Sequence, residues 1–183
     1  MPVTVSFVPT KTLAAVITTG MVAFPALTST ALANATEPVD VKVEFVAPIT
    51  LTETQNLDFG MLSTDMVATN TLTIATDDSL TDTNGLKLDP AATQKAADIT
   101  MTATASQTVS ISVAETGSAT GYSLGSFKCK YAAGSETACG SSDDFNVTTS
   151  ASTTLTIGAT LTGNGSDAAG VDDSAITVTA TYD

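Results

Sequence analysis

The sequence has no histidine, arginine or tryptophan, only two cysteines, and few aromatic residues. Without histidine, the Ser-His-Asp and Cys-His arrangements that activate nucleophiles in many hydrolases are unavailable. Glycosidases work with paired carboxylates, but aromatic side chains that could serve as platforms for a sugar are scarce here. The composition therefore predicts a protein that is not an enzyme, has no catalytic residue and needs no cofactor.

Positive charge is also scarce. Six lysines stand against nineteen acidic residues, and Lys11 is the only charged residue before Glu37. Nucleic-acid binding requires clustered Lys and Arg side chains that neutralise phosphates. Nucleic acid is therefore excluded as a partner, and an anionic membrane surface is disfavoured. The acidity is interpreted as a source of solubility and of repulsion between molecules.

The first 33 residues are predicted to be a cleaved secretory signal peptide. An apolar run begins at Thr12 and ends in an Ala-x-Ala cleavage site at Ala33, with Ala35 closing a second acceptable site. A membrane-spanning helix of about 20 apolar residues is the alternative. Pro25 and several threonines and serines interrupt the run, so the leader is preferred and no membrane insertion of the mature chain is expected.

Residues 34–183 have about the length of one domain. The leader places this domain in the periplasm, at the cell surface or in the medium, where disulfides persist. The only cysteines, Cys129 and Cys139, are therefore predicted to form a structural disulfide worth about 3 kcal/mol. A zinc site needs further cysteine or histidine ligands, and a redox-active pair is usually spaced Cys-x-x-Cys.

Alternation of apolar with small polar residues predicts an all-β fold. The clearest two-residue period is carried by Val39, Val41, Val43 and Phe45. Similar short runs recur as far as Tyr182, separated by turn signals, which gives about eight to ten strands. This pattern predicts a single immunoglobulin-like or Greek-key β-sandwich.

Three segments carry more local expectations. Residues 77–90 are predicted to be a loop with a turn at Asn84-Gly85. Residues 91–97 are predicted to form either one helical turn or a loop. The apolar runs at 99–105 and 109–113 are predicted to form a hairpin.

Acidic loops provide candidate oxygen ligands for calcium. They lie at four places: Asp77-Asp78, Asp82 to Asn84, Asp143-Asp144 and Asp172-Asp173. An EF-hand is ruled out because Leu80 stands where its first ligand would be. The side chains are interpreted as solvated turn carboxylates, and no metal site is predicted. A monomeric extracellular binding domain that depends on calcium is kept as the alternative function.

Residues 48–60 resemble the start of an uncharacterised family of secreted bacterial domains. The resemblance rests on an alternation of apolar residues with threonine that leads into Leu57, Asp58, Phe59 and Gly60. The segment is also distantly similar to spore-coat-U and fimbrial subunits of chaperone–usher systems. Tyr182, next to last in the chain, matches the closing strand of those subunits, and the Cys129–Cys139 segment fits the uncharacterised family.

The resemblance implies a secreted structural or adhesive surface protein, with self-assembly or other fimbrial subunits as its partners. Fimbrial subunits lack one strand, which the N-terminal extension of a neighbour supplies. Val39 to Phe45 is accordingly the candidate assembly strand, and an ordinary first strand of the same sandwich is the alternative. Phe59 and Gly60 are expected at a tight strand end.

Overall fold

The computed structural model describes residues 37–88, 93–117, 120–143, 145–165 and 174–183. The predicted leader and its cleavage sites lie outside these residues. One compact unit covers Val46–Asp183, and every regular element described within it is a β-strand. None of the described residues belongs to a helix that is long and apolar enough to cross a membrane.

Ten strands are described, so the prediction of an all-β sandwich is confirmed. Their bounds are β1 Thr50–Gln55, β2 Thr71–Ile74, β3 Leu80–Asp82, β4 Ala97–Thr102, β5 Thr108–Glu115, β6 Tyr122–Tyr131, β7 Thr137–Ala138, β8 Phe145–Thr148, β9 Ser152–Gly163 and β10 Ile176–Tyr182. The larger sheet has the order β1-β4-β9-β2-β3, with β6 also paired to β9 and β7 to β6. The smaller sheet has the order β10-β5-β8, and every pairing between two of these strands is antiparallel.

Strand β9 organises the larger sheet. Along one side it pairs with β6, and along the other it pairs first with β4 and then with β2. Gly158 lies where β9 changes partner, and a Cβ atom there would collide with the carbonyl oxygen of Ile74. The close approach of β2 to β9 therefore requires a residue without a side chain at this point.

The core lies between the two sheets, as alternation along the strands requires. Val109 and Ile111 of β5 are fully buried together with Leu155 and Ile157 of β9. The predicted disulfide between Cys129 and Cys139 is confirmed, and both residues are fully buried in this core. The bond joins β6 to the residue that follows β7.

The predicted hairpin of residues 99–105 with 109–113 is wrong. These runs are β4 and β5, and they lie in different sheets. The chain crosses between the sheets at residues 103–107, where Ser106 has a φ of 66° and buried Thr149 binds the backbone of Gln107. The two-residue alternation correctly identified the inward faces of β4 and β5, but it carries no information on which strand pairs with which.

One further local expectation is corrected, and one that named two alternatives is narrowed. The predicted loop over 77–90 contains β3, which pairs with β2. For residues 91–97 the alternatives were a helical turn and a loop. The described part, residues 93–97, has no helical turn, which agrees with the loop, and β4 already begins at Ala97. The predicted turn at Asn84-Gly85 agrees with the structure, because Gly85 has a φ of 68°, a conformation that favours glycine.

Val39 to Phe45 form no strand among the described residues, so the alternative of an ordinary first strand gains no support from the fold. Residues 37–49 have no strand assignment, and the sheet begins at Thr50. The segment has a strand-like sequence but pairs with no strand among the described residues. Two-residue alternation places the apolar side chains on one face of an extended chain. A strand forms only where the backbone also pairs with a neighbouring strand.

Candidate assembly site

The N-terminal segment, residues 39–45, carries four large apolar side chains in water. The exposed fractions are 82% for Val39, 82% for Val41, 65% for Val43 and 90% for Phe45. In an extended chain these alternate residues share one face, and the charged residues between them share the other. A row of exposed apolar side chains with a polar opposite face is typical of an interaction element.

Two hollows, lined in part by apolar side chains, border strand β10 of the sandwich, and together they are called the groove. Its larger part has a volume of about 1120 Å³ and lies between Leu51 and Ile99 of one sheet and Ile176 and Val178 of the other. A smaller part, about 440 Å³, is bordered by Ala180, Thr181 and Tyr182 and by residues 46–49. The larger part therefore lies beside Ile176 and Val178, and the smaller part lies beside the last residues of β10.

Strand β10 is an unprotected edge. It pairs with β5 over seven consecutive residues without a bulge, and no other pairing of β10 is found among the described residues. It contains no charged residue and no proline, the features that usually block edge-to-edge pairing. By contrast, β1 carries Glu53 and an irregular register, and β8 is only four residues long.

The inward side chains of β10 are incompletely covered. Ile176, Val178, Ala180 and Tyr182 pack on the core but are only half-buried, whereas the inward residues of β9 are almost fully buried. A further strand added on the open side of β10 would cover these half-buried side chains. The sandwich therefore offers both a row of free backbone groups and an apolar lining to a strand added there.

Tyr182 closes one end of the groove and fixes where the chain enters the sandwich. Its hydroxyl donates to the carbonyl of Ala47 at 2.8 Å and accepts from the N–H of Thr104 at 2.8 Å. The Ala47 N–H in turn donates to Oγ1 of Thr104 at 2.6 Å. Sequence reasoning selected Tyr182 from the resemblance but missed Thr104, whose role depends on a contact far along the chain.

The Leu57–Gly60 segment also borders the groove. The expectation that Phe59 and Gly60 lie at a strand end is wrong, because β1 ends earlier, at Gln55. Instead, Asp58 exchanges two backbone hydrogen bonds with Lys95, and its carboxylate accepts the N–H of Gly60 at 2.7 Å. Gly60 has a φ of 77°, which favours glycine, and the turn leaves Phe59 half-buried on the core.

The acidic loops act as turn caps where they are described. Hydrogen bonding to the Lys95 side chain and to the Ala96 N–H lowers the pKa of Asp78. For Asp82, partial burial raises the pKa, but bonds from the N–H groups of Lys87, Asn84 and Gly85 outweigh this and the net pKa is lowered.

Among the described residues, no group of three or more acidic, histidine or cysteine side chains is arranged to hold a metal ion. Asp144, Asp172 and Asp173 lie outside the residues that the structure describes.

Comparison with known proteins gives one match. Residues 49–182 match a family described as "Domain of unknown function (DUF4402)". No curated protein and no solved structure is detectably similar to the chain. The matched region contains all ten strands, and the N-terminal segment precedes it.

Proposed function

The chain belongs to DUF4402, a domain family of unknown function, and we propose that this member is a non-enzymatic structural or adhesive subunit that assembles with other copies of itself. The polymer would lie outside the cytoplasm, as a fimbria-like surface structure does. One observation carries the proposal. Among the described residues, an apolar, strand-like segment lies in no sheet, and the edge strand β10 pairs with no strand other than β5.

The energetics support association. Complete burial of a valine or phenylalanine side chain stabilises by roughly 1.5–3 kcal/mol, so the four side chains of the segment together contribute roughly 6–12 kcal/mol. Loss of translational and rotational freedom costs about 4–15 kcal/mol. Backbone hydrogen bonds along the β10 edge add to the favourable side. The two sides are of similar size, so assembly would depend on protein concentration.

The location outside the cytoplasm rests on two features. The first 33 residues carry the composition and the cleavage site of a secretory leader. The Cys129–Cys139 bond forms and persists most readily in an oxidising compartment. N-terminal sequencing of the exported protein tests the first feature, and a mature end at Asn34 or Thr36 is expected.

The decisive experiment alters only the apolar face of the N-terminal segment. The V41D/V43D variant should remain folded, because both side chains are exposed, but it should sediment as a monomer. The matched control is K42D, which changes the net charge by the same −2 on the opposite face and should assemble like the wild type. Analytical ultracentrifugation and electron microscopy provide the readout, and circular dichroism checks the fold.

Two results would contradict the proposal. A wild-type protein that stays monomeric at high concentration would favour the alternative, a monomeric extracellular binding domain. Equal assembly of V41D/V43D and K42D would remove the N-terminal segment from the mechanism. The calcium-dependent form of the alternative is less well supported, because backbone N–H groups already bind the Asp82 carboxylate. Calcium should therefore leave the melting temperature unchanged.

A further inference from the structure

We infer that Asn84 is a latent deamidation site and that the Asp82 carboxylate blocks the reaction in the folded protein. Asn84 is followed by Gly85, which has no side chain to hinder an attack by its own backbone nitrogen. Both residues are exposed to water. The inference concerns the chemical durability of the turn that follows β3, and it does not depend on the proposed assembly.

An Asn-Gly pair deamidates by cyclisation followed by hydrolysis. The Gly85 nitrogen would lose its proton to hydroxide and attack the carboxamide carbon of Asn84. A new N–C bond forms, the bond from that carbon to the amide nitrogen breaks, and ammonia leaves. Water then adds to either carbonyl of the five-membered ring and opens it to aspartate or isoaspartate. The first step therefore requires a deprotonated Gly85 nitrogen that can move toward the side chain.

The Gly85 nitrogen is the atom that the turn restrains. Its N–H donates to Oδ1 of Asp82 at 2.9 Å, and the same oxygen accepts the N–H of Asn84 at 3.0 Å. The other carboxylate oxygen accepts the N–H of Lys87 at 2.9 Å, which holds the carboxylate from the far side of the turn. The attacking nitrogen must therefore give up a hydrogen bond to a fixed, charged acceptor before it can react.

The charge of the carboxylate opposes the reaction as well. The folded-state pKa of Asp82 lies below its ordinary value of 3.8, so the group is ionised at neutral pH. A negative charge beside an N–H group disfavours the loss of its proton. The Asp82 side chain thus suppresses the reactive form of the Gly85 nitrogen and also occupies the position of its hydrogen.

The Asn84 side chain has a partner of its own. Its Oδ1 accepts the hydroxyl of Thr83 at 2.7 Å, and that hydroxyl lies 3.3 Å from the carbonyl oxygen of Thr71 in β2. This contact restricts the rotation that would present the carboxamide carbon to the Gly85 nitrogen. Both reacting groups are therefore held by neighbours within the turn.

Deamidation would disturb the packing behind the turn. Either product places a second carboxylate beside Asp82, and isoaspartate also lengthens the backbone by one carbon atom. The turn leads directly into buried Leu86, whose carbonyl accepts the N–H of Ser63 at 2.8 Å. Molecules that have lost Asn84 should consequently melt at a lower temperature than unmodified ones.

Peptide mass spectrometry of the full chain, kept folded in mildly alkaline buffer, measures the loss of Asn84. We expect this loss to be at least about tenfold slower in the wild type than in a synthetic peptide of residues 80–88, which contains Asp82 but lacks the folded turn. D82A removes the acceptor and the charge and should raise the rate in the protein about tenfold. D82N keeps an acceptor oxygen without the charge, so its rate should lie between those two.

Y182F is the control for general destabilisation, because it removes hydrogen bonds away from this turn. It should lose Asn84 as slowly as the wild type. Equal rates in the wild type and D82A would overturn the inference, and so would equal rates in the folded protein and the peptide. A rate in Y182F that matches D82A would overturn it too, because loosening of the whole fold would then explain the effect. A rate in D82N as low as in the wild type would overturn the role of the charge.

Discussion

At the scale of single residues, the Asp82 side chain stabilises the turn that follows it by accepting hydrogen bonds from the backbone of that turn. Its carboxylate accepts the N–H groups of Asn84, Gly85 and Lys87 at distances of 2.9–3.0 Å. Without this carboxylate, the three backbone N–H groups have only water as a hydrogen-bond partner. We expect D82A to lower the free energy of unfolding by about 1–2 kcal/mol in urea titrations. D40A, in the exposed N-terminal segment, is the control and should change it by less than about 0.5 kcal/mol.

The same carboxylate makes stability depend on pH. Its folded-state pKa lies below the ordinary value of 3.8, so its contribution is complete above that value and is lost as the pH falls through the lower, folded-state pKa. The difference in melting temperature between wild type and D82A should therefore be largest above about pH 4 and should shrink toward pH 2. A difference that grows on acidification would contradict this assignment.

Tyr182 makes two hydrogen bonds with one hydroxyl, to Ala47 and Thr104. Y182F keeps the ring on the core and deletes both bonds, so we expect a loss of about 1–2 kcal/mol in the free energy of unfolding. Tyr131 provides a matched control, because its hydroxyl accepts one backbone N–H, that of Ser150. Y131F should cost about half as much, and equal losses would argue against a special role for Tyr182.

At the scale of the element, β9 depends on one residue without a side chain. Gly158 lies against the Ile74 carbonyl, and a Cβ atom would also come within 3.0 Å of the Ala75 carbonyl carbon. We expect G158A to separate β2 from β9 and to cost roughly 2–3 kcal/mol in urea unfolding. Gly125 in β6 has nothing within 4 Å of an added Cβ, so G125A is the control and should be nearly neutral. Similar costs for both variants would refute the packing argument.

At the scale of the whole molecule, the net charge of −13 opposes every contact between copies. Salt screens this repulsion over a Debye length of about 10 Å at 0.1 M. We expect assembly, followed by light scattering, to accelerate when the salt concentration rises from about 10 mM to 150 mM. The K42D variant should depend on salt more steeply. Slower assembly at higher salt would indicate contacts dominated by attraction between opposite charges.

Strand positions were the most predictable part of the fold. The alternation at Leu155 to Leu161 and at Ile176 to Tyr182 identified β9 and β10 and their inward faces, because side chains on a strand alternate strictly. Strand partners were not predictable in this way. The runs that became β4 and β5 have equivalent patterns, yet they lie in opposite sheets, because pairing depends on residues far apart in sequence.

The candidate site divides in the same manner. Val39 to Phe45 was identifiable as a strand-like row from the sequence, but its exposure was not, because the same pattern in β10 is half-buried. The groove had no sequence signal, since its lining comes from residues as distant as Leu51 and Val178. Thr104 and Thr149 were not predicted as important residues, because nothing in the neighbouring sequence distinguishes a threonine that makes a long-range hydrogen bond from the many others.

The sequence by itself determined the all-β class, the inward faces of the main strands and the pairing of the only two cysteines. Composition and two-residue periodicity act locally, so these features do not depend on where the rest of the chain lies. Only the tertiary structure decided which edges meet, and hence that β10 pairs only with β5 among the described residues while residues 39–45 form no strand. Each backbone N–H and C=O group bonds to a neighbouring strand only where one lies beside it. Whether an edge strand keeps unpaired backbone groups therefore depends on the arrangement of all the strands and not on any single segment.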